Sequence, residues 1–542
     1  MKFNSYRSTV YGTGGTVATS QPLAAMAGIK ILQQGGNAAD AAVATAAALN
    51  VTEPTSTGMG GDAFALFFNQ QQRSVKGINA SGRAPAGLTL EKLAEKGYTK
   101  ETHLPRFSVH TITVPGATAG WVDTVEEFGR LSIKEVLQPA INLAENGYPV
   151  APLTARSWQR GAKIQLGNSP NGGELLIDGE APKAGQLMKI PTMANTFKKI
   201  AEHGKSGFYE GEVAEAIVSI IGEMGGYMTL DDLKKHESTF VEPISVNYKG
   251  HEVYEIPPNG QGITALIALN ILEDFGLEDY DPHSADYYHI LIEAMRLAFA
   301  DSRTYVADPA IEDIPIEELL SKEYGKSRAK LLDTNRATVD QVAGSPRKQS
   351  NTVYLSVVDG DGNACSFINS NYMGFGTGIV PKGTGFTLQN RGHNFSLDPE
   401  HYNSLKPGKR PYHTIIPSMI TTIGDHGKEL YASYGVMGGF MQPQGHVQVG
   451  LNLIDHKMTP QQALDYPRFC ITDGTAGGTV ALEEGIPVKI MADLARRGHP
   501  VQPVSGYGRA IFGRGQVIKR DPVSGVLAAG SDPRADGMAI AL

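Results

Sequence analysis

The sequence predicts a mixed α/β fold of helices and buried strands, and three observations predict it. Apolar residues recur at helical spacing over residues 21–34. Residues 63–68 form a short apolar run that is typical of a buried strand. Two strand-like runs, 352–358 and 364–368, are joined by DGDGN, which is a strong hairpin signal. A chain of 542 residues exceeds the size at which a single core stops growing, so we expect two domains or one large multilayer domain.

The N-terminal part begins with a predicted helix pair. Pro22 suits the first turn of the first helix, and Gly35-Gly36 supplies its stop signal. A second helix is predicted over residues 38–49, where the many alanines allow close packing against a neighbour. A glycine-rich stretch then breaks the helical pattern before the first predicted strand. The helix pair is therefore expected to precede the sheet.

The middle of the chain, residues 120–345, is mostly helical in pattern. Its clearest element is residues 285–302, which carry Ile290 and Ala294 on one apolar face. Residues 326–350 are rich in Lys, Arg, Ser, Asp and Gln and poor in aromatic residues, a composition typical of an exposed, mobile connector. A polar connector that leads directly into a strand is an unusual layout for an enzyme chain.

Composition and charge argue against several classes of partner. There are 48 Lys and Arg against 56 Asp and Glu, with a net charge of −8 and no long basic run, so nucleic acid is not an expected partner. Cys365 and Cys470 are too few for a disulfide framework or a metal-binding spacing, which fits a reduced compartment. Residues 1–7 are not followed by the apolar region of a signal peptide, and no run reaches the roughly 18 apolar residues needed to span a bilayer. We expect a cytoplasmic protein with no membrane partner.

Thr352 lies where the connector meets the strand, and its chemistry depends on whether it heads a chain. A threonine hydroxyl is scarcely ionised at neutral pH and needs an adjacent base to act as a nucleophile. An α-amino group on the same residue is such a base, since its pKa of about 7.7–8.0 leaves a useful fraction unprotonated. Cleavage of the Asn351–Thr352 bond would create that terminus. The alternative is that Thr352 is only a β-branched residue that begins a strand.

Motifs along the whole chain carry a resemblance to a known family. They are NAADAAVA at 37–44, GMGGDAF at 58–64, VPG at 114–116, EAMRLAFAD at 293–301, ADP at 307–309 and DPRADG at 532–537. The most specific are TVYLSVVDGDGNA at 352–364 and GFGTGIV at 374–380. In this order they resemble the γ-glutamyltranspeptidase family of N-terminal-nucleophile hydrolases.

The resemblance implies a four-layer αββα sandwich and an enzyme that cleaves itself. It places the nucleophile on Thr352 and the cleavage site between Asn351 and Thr352. The large subunit (1–351) and the small subunit (352–542) would then form one compact unit that acts on a small-molecule amide through a threonyl acyl-enzyme. The resemblance implies neither a metal nor an organic cofactor.

Further catalytic roles follow from the same resemblance. Gly438 and Gly439 match the glycine pair whose backbone N–H groups hold the oxyanion, and glycine allows close approach of main chain to substrate. A helix-like pattern follows this pair. Ser370 matches a second hydroxyl that hydrogen-bonds the amino group of the nucleophile.

The acyl pocket departs from the family pattern. The pocket aspartate of the family falls on Asn394, its glutamine on Arg391, its serine pair on His413 and Thr414, an asparagine on Tyr372 and its carboxylate-binding arginine on Ser81, two residues before Arg83. The pocket has therefore lost a negative charge, which penalises a buried substrate ammonium group. An acyl group with a carboxylate and no ammonium, such as glutaryl, suits Arg83 and Arg391 better. NRG at 390–392 with GGFMQPQGH at 438–446 resembles the cephalosporin-acylase branch of the family.

Two other functions stay open at this point. One is a true glutathione hydrolase or γ-glutamyltransferase, with a role in glutathione metabolism. The other is an unprocessed, inactive relative that only binds its ligand. A phosphate-binding loop is rejected because Gly325-Lys326-Ser327 lacks the earlier glycine. No Gly-x-Ser-x-Gly elbow is present in the sequence.

Overall fold

Two seven-stranded antiparallel sheets lie face to face between outer layers of helices in the computed structural model, which describes residues 7–338, 352–425 and 427–542. The strands in this part of the chain are β1 (Val10–Gly12), β2 (Gly15–Thr19), β3 (Asp62–Asn69), β4 (Ser74–Ala80), β5 (Tyr148–Pro149), β6 (Leu187–Met188), β7 (Thr239–Val241), β8 (Ile244–Tyr248), β9 (His251–Glu255), β10 (Val353–Asp359), β11 (Ala364–Ser370), β12 (Ser418–Gly424), β13 (Gly427–Val436), β14 (Phe469–Ile471), β15 (Val480–Glu483), β16 (Val501–Val504), β17 (Gly515–Arg520), β18 (Leu527–Ser531) and β19 (Met538–Ala541).

The helices cover the outer faces of the sheets and fill the connections. They are α1 (Pro22–Gln33), α2 (Ala38–Thr52), α3 (Leu90–Glu95), α4 (Ala117–Phe128), α5 (Ile133–Asn146), α6 (Pro152–Ile164), α7 (Pro191–His203), α8 (Ser206–Tyr209), α9 (Gly211–Glu223), α10 (Leu230–Lys234), α11 (Gly262–Leu272), α12 (Ala285–Tyr305), α13 (Ile316–Leu319), α14 (Lys322–Ala329), α15 (Met441–Ile454), α16 (Pro460–Asp465) and α17 (Val488–Arg496).

Each large sheet contains strands from both sides of Thr352. Sheet I has the order β1-β18-β17-β13-β12-β9-β8, and sheet II has the order β19-β2-β10-β11-β3-β4-β7. Strand β10, which begins one residue after Thr352, pairs with β2 on one side and with β11 on the other. Separating the two segments of the chain would break hydrogen bonds in both sheets.

Three apolar layers hold these elements together. One lies between sheet II and the helices α1, α2, α4 and α5, and another lies between sheet I and the helices α11, α12 and α15. The third lies between the sheets, where Phe64 and Tyr354 of sheet II meet Met419 and Ile518 of sheet I. This order of layers is the αββα sandwich that the sequence predicts.

The alanine-rich helix α2 is buried along its whole length. Asn37 caps its first turn, and Asp40 completes a capping box with the backbone of Asn37. Small side chains let a second helix approach closely, since a Cβ on Gly28 of α1 would lie 2.3 Å from Thr45 Oγ1. Helix propensity and tertiary packing therefore act in the same direction in this segment.

Most of the predicted elements are confirmed. The first helix, the second helix, the strand at 63–68, the helix at 285–302 and the hairpin around 359–363 correspond to α1, α2, β3, α12 and β10–β11. The helix-like pattern after Gly438-Gly439 corresponds to α15. Helices α2 and α12 each run three residues beyond their predicted ends.

One organisational prediction is wrong. The helix pair does not precede the sheet, because the five-residue strand β2 comes before α1 and pairs with β10. The middle is mostly helical, as predicted, and it also contributes β8 and β9 to sheet I through a two-residue turn in which Lys249 and Gly250 have φ of 50° and 81°. Most of the described connector residues, 326–338, are exposed as predicted, although Ala329 and Leu332 are buried. Residues 339–351 of that connector lie outside the described residues.

Candidate active site

A row of polar side chains crosses one end of sheet II. Thr352 precedes β10, Ser370 ends β11, Asp62 begins β3 and Ser81 follows β4. Ser370 is the register partner of Asp62, and the registers of the neighbouring strands align the other two residues beside them. Because alternate residues of a strand point to opposite faces, this row faces the layer between the sheets, as Tyr354 does two residues after Thr352.

Thr352 is fully buried beside a second hydroxyl. Its Oγ1 lies 3.1 Å from Ser370 Oγ, which also accepts a hydrogen bond of 2.8 Å from the backbone N–H of Tyr372. Both hydroxyls are thus held by adjacent strands of one sheet. Asn351, the predicted residue on the other side of the cleavage site, lies outside the described residues.

Gly438 and Gly439 lie between β13 and α15, with φ of +129° and +61°. A left-handed backbone of this kind favours glycine at both positions. In the described part of the chain neither of their N–H groups donates a hydrogen bond, whereas the Gly439 carbonyl accepts one of 2.8 Å from Gln261 Nε2. The pair therefore presents two unused donors close to the N-terminus of a buried helix, a favourable place for negative charge.

The stacking of the two sheets directs Thr352 towards this glycine pair. Ser356 Oγ of β10 lies 2.7 Å from Ser433 Oγ of β13. Tyr354 lies two residues before Ser356, and Gly435 lies two residues after Ser433. The ring of Tyr354 packs on Gly435, where an added Cβ would lie 2.6 Å from the ring. A further step of two residues along each strand aligns Thr352 with Met437, the residue that precedes Gly438.

Arg391 is a fully buried cation with unused hydrogen-bonding capacity. Its Nη1 donates to Thr414 Oγ1 at 2.6 Å, and its guanidinium lies 4.3 Å from the ring centre of Tyr372. Its Nε and Nη2 atoms have no partner among the described residues. Burial lowers the pKa of Arg391 to about 10, against the opposing charge of Asp62. A buried guanidinium with two free donors is suited to a carboxylate ligand.

Tyr372 and Asn394 support this arginine. The Tyr372 hydroxyl donates to Asn394 Oδ1 at 2.6 Å, and Asn394 Nδ2 donates to the Tyr412 carbonyl at 3.0 Å. Tyr372 has a φ of +78°, which is unusual for a residue with a side chain. Both polar ends of Asn394 are therefore used in positioning the aromatic ring beneath Arg391.

Arg83 forms no hydrogen bond or ion pair with this group among the described residues. It is half-buried, and its guanidinium forms neither a hydrogen bond nor an ion pair within residues 7–338, 352–425 and 427–542. The N–H of Ala84 donates to the Lys409 carbonyl at 2.8 Å, which makes Arg83 and Arg410 neighbours. Burial and the charge of Arg83 lower the pKa of Arg410 to about 10. Arg410 is itself bound to the carbonyl of Ser81 at 2.9 Å.

His413 is paired with a buried carboxylate, Asp62. His413 Nε2 lies 3.0 Å from Asp62 Oδ2, and His413 Nδ1 accepts a hydrogen bond of 3.3 Å from the backbone N–H of Ile415. This arrangement fixes a neutral imidazole with its proton on Nε2. Burial and the charge of Arg391 lower the pKa of His413 to about 3, against the effect of Asp62. His413 is therefore a neutral imidazole whose Nε2 proton is directed at Asp62.

A family model described as Gamma-glutamyltranspeptidase matches residues 24–542 of the chain. The chain belongs to this family. Enzymes of the family hydrolyse or transfer amide-bound acyl groups, so the protein is an enzyme that acts on amide bonds. The crystal structure of cephalosporin acylase from Bacillus halodurans matches this fold with a TM-score of 0.91 at 47% identity, covering 100% of this chain and 98% of that chain. The chain thus lies in the cephalosporin-acylase-like branch of the γ-glutamyltranspeptidase family.

Several relatives are proenzymes by name. The glutathione hydrolase-like YwrD proenzyme of Bacillus subtilis is 39% identical over 98% of this chain and 99% of its own length. The oxamate amidohydrolase proenzyme of Klebsiella pneumoniae is 32% identical over 98% of this chain and 99% of its own length. The acylase ACY 1 proenzyme of a Pseudomonas strain is 32% identical over 100% of this chain and 96% of its own length. These names cover different acyl groups, so family membership alone leaves the substrate undetermined.

Asp62 is a site residue that the sequence analysis did not single out. The signal was a carboxylate at the start of a strand that is otherwise apolar as far as residue 68. An ionisable residue at such a position needs buried partners. Its partners lie far away in the sequence, which is why the pattern of residues 58–64 alone did not reveal the role.

Metal-binding clusters, membrane-spanning helices and disulfides are the remaining features to consider in the described chain. No group of three or more His, Cys, Asp or Glu suited to a metal ion occurs among the described residues. Across the same residues, no helix is long and apolar enough to cross a membrane. Cys365 and Cys470 are both unpaired and buried.

Proposed function

We propose that the protein is an autoprocessed amidase that removes acyl groups ending in a carboxylate, such as glutaryl, from amines. Thr352 is the nucleophile, Gly438 and Gly439 hold the oxyanion, and Arg391 binds the distal carboxylate of the acyl group. The observation that carries this proposal is the buried Arg391 guanidinium, which keeps two donor atoms unused and lies 4.3 Å from the ring centre of Tyr372, whose backbone N–H donates to Ser370.

Processing precedes catalysis in this proposal. The Thr352 hydroxyl attacks the Asn351 carbonyl carbon, and the peptide bond is exchanged for an ester that releases the Thr352 amino group. Water then hydrolyses the ester, leaving a carboxylate on Asn351. The large subunit (1–351) and the small subunit (352–542) stay together because each sheet contains paired strands from both.

The new amino group acts as the base for amide cleavage. It takes the proton from Thr352 Oγ1 as the oxygen attacks the substrate carbonyl carbon, and the carbonyl oxygen becomes an anion held by the N–H groups of Gly438 and Gly439. Collapse of this intermediate breaks the C–N bond, and the ammonium returns its proton to the leaving amine. Water hydrolyses the threonyl ester by the same route. Ser370 holds the amino group in place.

The charge of the pocket favours glutaryl over γ-glutamyl groups. A γ-glutamyl group adds an α-ammonium, which needs a free anion. Asn394 is neutral, and both oxygens of Asp62 already accept hydrogen bonds. Burying an unpaired ammonium near Arg391 is therefore unfavourable.

Three anilides of matched chain length test the proposal: glutaryl, γ-glutamyl and valeryl. We expect kcat/KM for glutaryl anilide to exceed the other two by at least about tenfold, since each lacks one favourable charge interaction or adds an unfavourable one. A higher rate with γ-glutamyl anilide would instead support a glutathione hydrolase.

A Thr352→Ala variant tests the nucleophile in the same assay. We expect it to lose turnover and to remain a single band near 57.9 kDa on a denaturing gel, whereas the wild type gives two bands. A wild type that stays at 57.9 kDa and is inactive would support an unprocessed binding protein. Full turnover by the variant would refute the assignment of Thr352.

A further inference from the structure

Gln261 is a fully buried glutamine that lies directly before helix α11. Two backbone hydrogen bonds hold its segment beside His413. The N–H of Gln261 donates to the His413 carbonyl at 2.9 Å, and the N–H of His413 donates to the Asn259 carbonyl at 2.8 Å. The side chain of Gln261 therefore extends from a backbone that is fixed against one wall of the acyl pocket.

The side-chain amide of Gln261 forms three hydrogen bonds. Its Nε2 donates to the Gly439 carbonyl at 2.8 Å and to the Thr414 carbonyl at 2.6 Å. Its Oε1 accepts from the Tyr412 hydroxyl at 3.0 Å. Exchanging the amide oxygen and nitrogen would set an oxygen against two carbonyl oxygens, so only one orientation of the amide satisfies all its partners.

The first of these partners, Gly439, belongs to the oxyanion pair. The Gly438 carbonyl accepts from the N–H of Met441 in α15 at 3.1 Å. Because a trans peptide places its N–H opposite its carbonyl, the N–H of Gly439 points away from this helix. The Gly439 carbonyl accepts from the N–H of Gln442 at 3.1 Å and from Gln261. Gln261 thus ties the oxyanion loop to a second helix, α11.

The second partner, Thr414, holds the cation of the acyl pocket. Its hydroxyl accepts from Arg391 Nη1 at 2.6 Å, while its carbonyl accepts from Gln261. A single amide group therefore connects the oxyanion loop with the residue that holds the guanidinium. The two groups that would bind opposite ends of an acyl chain are linked through Gln261.

We propose that Gln261 is a positioning residue that fixes the distance between the oxyanion glycines and Arg391, and thereby selects the length of the acyl chain. This inference rests on the proposed function, in which these groups bind the two ends of the acyl group. A chain that is one methylene longer or shorter cannot place its carbonyl carbon at Thr352 while its carboxylate stays on Arg391. A misplacement of about 1 Å is enough to lower the rate strongly.

Succinyl, glutaryl and adipyl anilides test this inference on the wild type and on Gln261→Met. Methionine has a similar length and forms none of the three hydrogen bonds. In the wild type we expect kcat/KM for glutaryl anilide to exceed that for either of the other two by at least about tenfold. In Gln261→Met the ratio of glutaryl to adipyl should fall at least about fivefold, because the loop and the pocket wall can move apart. A loss of folded enzyme lowers all three rates equally and leaves this ratio unchanged.

Gln448→Met is the matched control. Gln448 is also a buried glutamine whose Nε2 donates to two carbonyls, those of Gln444 at 3.0 Å and Phe469 at 3.1 Å, and whose Oε1 accepts from the N–H of Phe469 at 3.0 Å. None of these bonds is made with the residues that Gln261 binds. The chain-length ratios of this control should equal those of the wild type. An unchanged ratio in Gln261→Met, or an equal change in the control, would overturn the inference.

Tyr412→Phe decides the question if Gln261→Met is insoluble. It removes the hydroxyl that holds the amide oxygen of Gln261, and we expect the ratio of glutaryl to adipyl to fall about threefold. An unchanged ratio in this variant would then overturn the inference. A wild type that prefers glutaryl to valeryl anilide but accepts all three chain lengths equally would also overturn it. A wild type with no preference for glutaryl over valeryl anilide would overturn the proposed function itself.

Discussion

Arg391→Met separates the role of the guanidinium in binding from its role in the fold. Methionine has a similar length and no charge. In the free enzyme it removes a buried cation that forms one hydrogen bond, to Thr414, and one contact with the face of the Tyr372 ring. We therefore expect activity towards carboxylate-bearing acyl groups to be lost while the fold is retained.

The structure sets the size of both effects. Hydrogen bonds to charged groups contribute about 1.5–3 kcal/mol each, and Arg391 has two unused donor atoms, so the gross loss is about 3–6 kcal/mol. Desolvation of the substrate carboxylate offsets part of it, and a net loss of about 100-fold in kcat/KM for glutaryl anilide is expected. Arg391 forms no ion pair among the described residues, and an apolar side chain avoids the cost of burying an unpaired charge, so the free energy of unfolding should stay within about 2 kcal/mol of the wild type.

The assay compares glutaryl and valeryl anilide on the wild type, Arg391→Met and Arg83→Met, with urea unfolding of each protein. Valeryl anilide should be hydrolysed equally well by the wild type and Arg391→Met. Arg83→Met is the matched control, because Arg83 is the other predicted pocket arginine. Equal losses on both substrates would refute the reasoning, and a selective loss only in Arg83→Met would move the carboxylate site to Arg83.

Two further predictions concern the framework of the site. Glu53→Gln breaks the 2.7 Å ion pair with Arg514, whose carbonyl accepts a hydrogen bond from the N–H of Met437, directly before the glycine pair. We therefore expect kcat to fall about tenfold on both anilides with KM unchanged. A change confined to KM would contradict this prediction. Burial lowers the pKa of His413 and of His236 to about 3, against 6.5 in the unfolded chain, so only the unfolded state takes up these protons between pH 6.5 and 3. The free energy of unfolding should therefore fall with decreasing pH in that window, by up to about 1.4 kcal/mol per pH unit for each histidine, and a flat urea midpoint from pH 6.5 to 4 would refute it.

Features set by neighbouring residues were predictable from the sequence. The helices α1 and α2 follow from apolar spacing, caps and stop signals, and the β10–β11 hairpin follows from its turn residues. That hairpin brings Ser370 beside Thr352, so the contact between the two hydroxyls is encoded within one local unit. The strand hairpin β8–β9 was missed because its turn, Lys249-Gly250, is a weak turn signal.

The sequence by itself determined the family, the position of Thr352 at the start of a strand and the unusual residues of the acyl pocket. Only the tertiary structure decided how those pocket residues are used. It showed that Asn394 holds Tyr372, that Arg83 lies near Arg410, and that Asp62 gathers donors from four distant segments. The physical reason is that periodicity and turn chemistry act over a few residues, whereas the charge balance of a buried pocket depends on which strands become neighbours across two sheets.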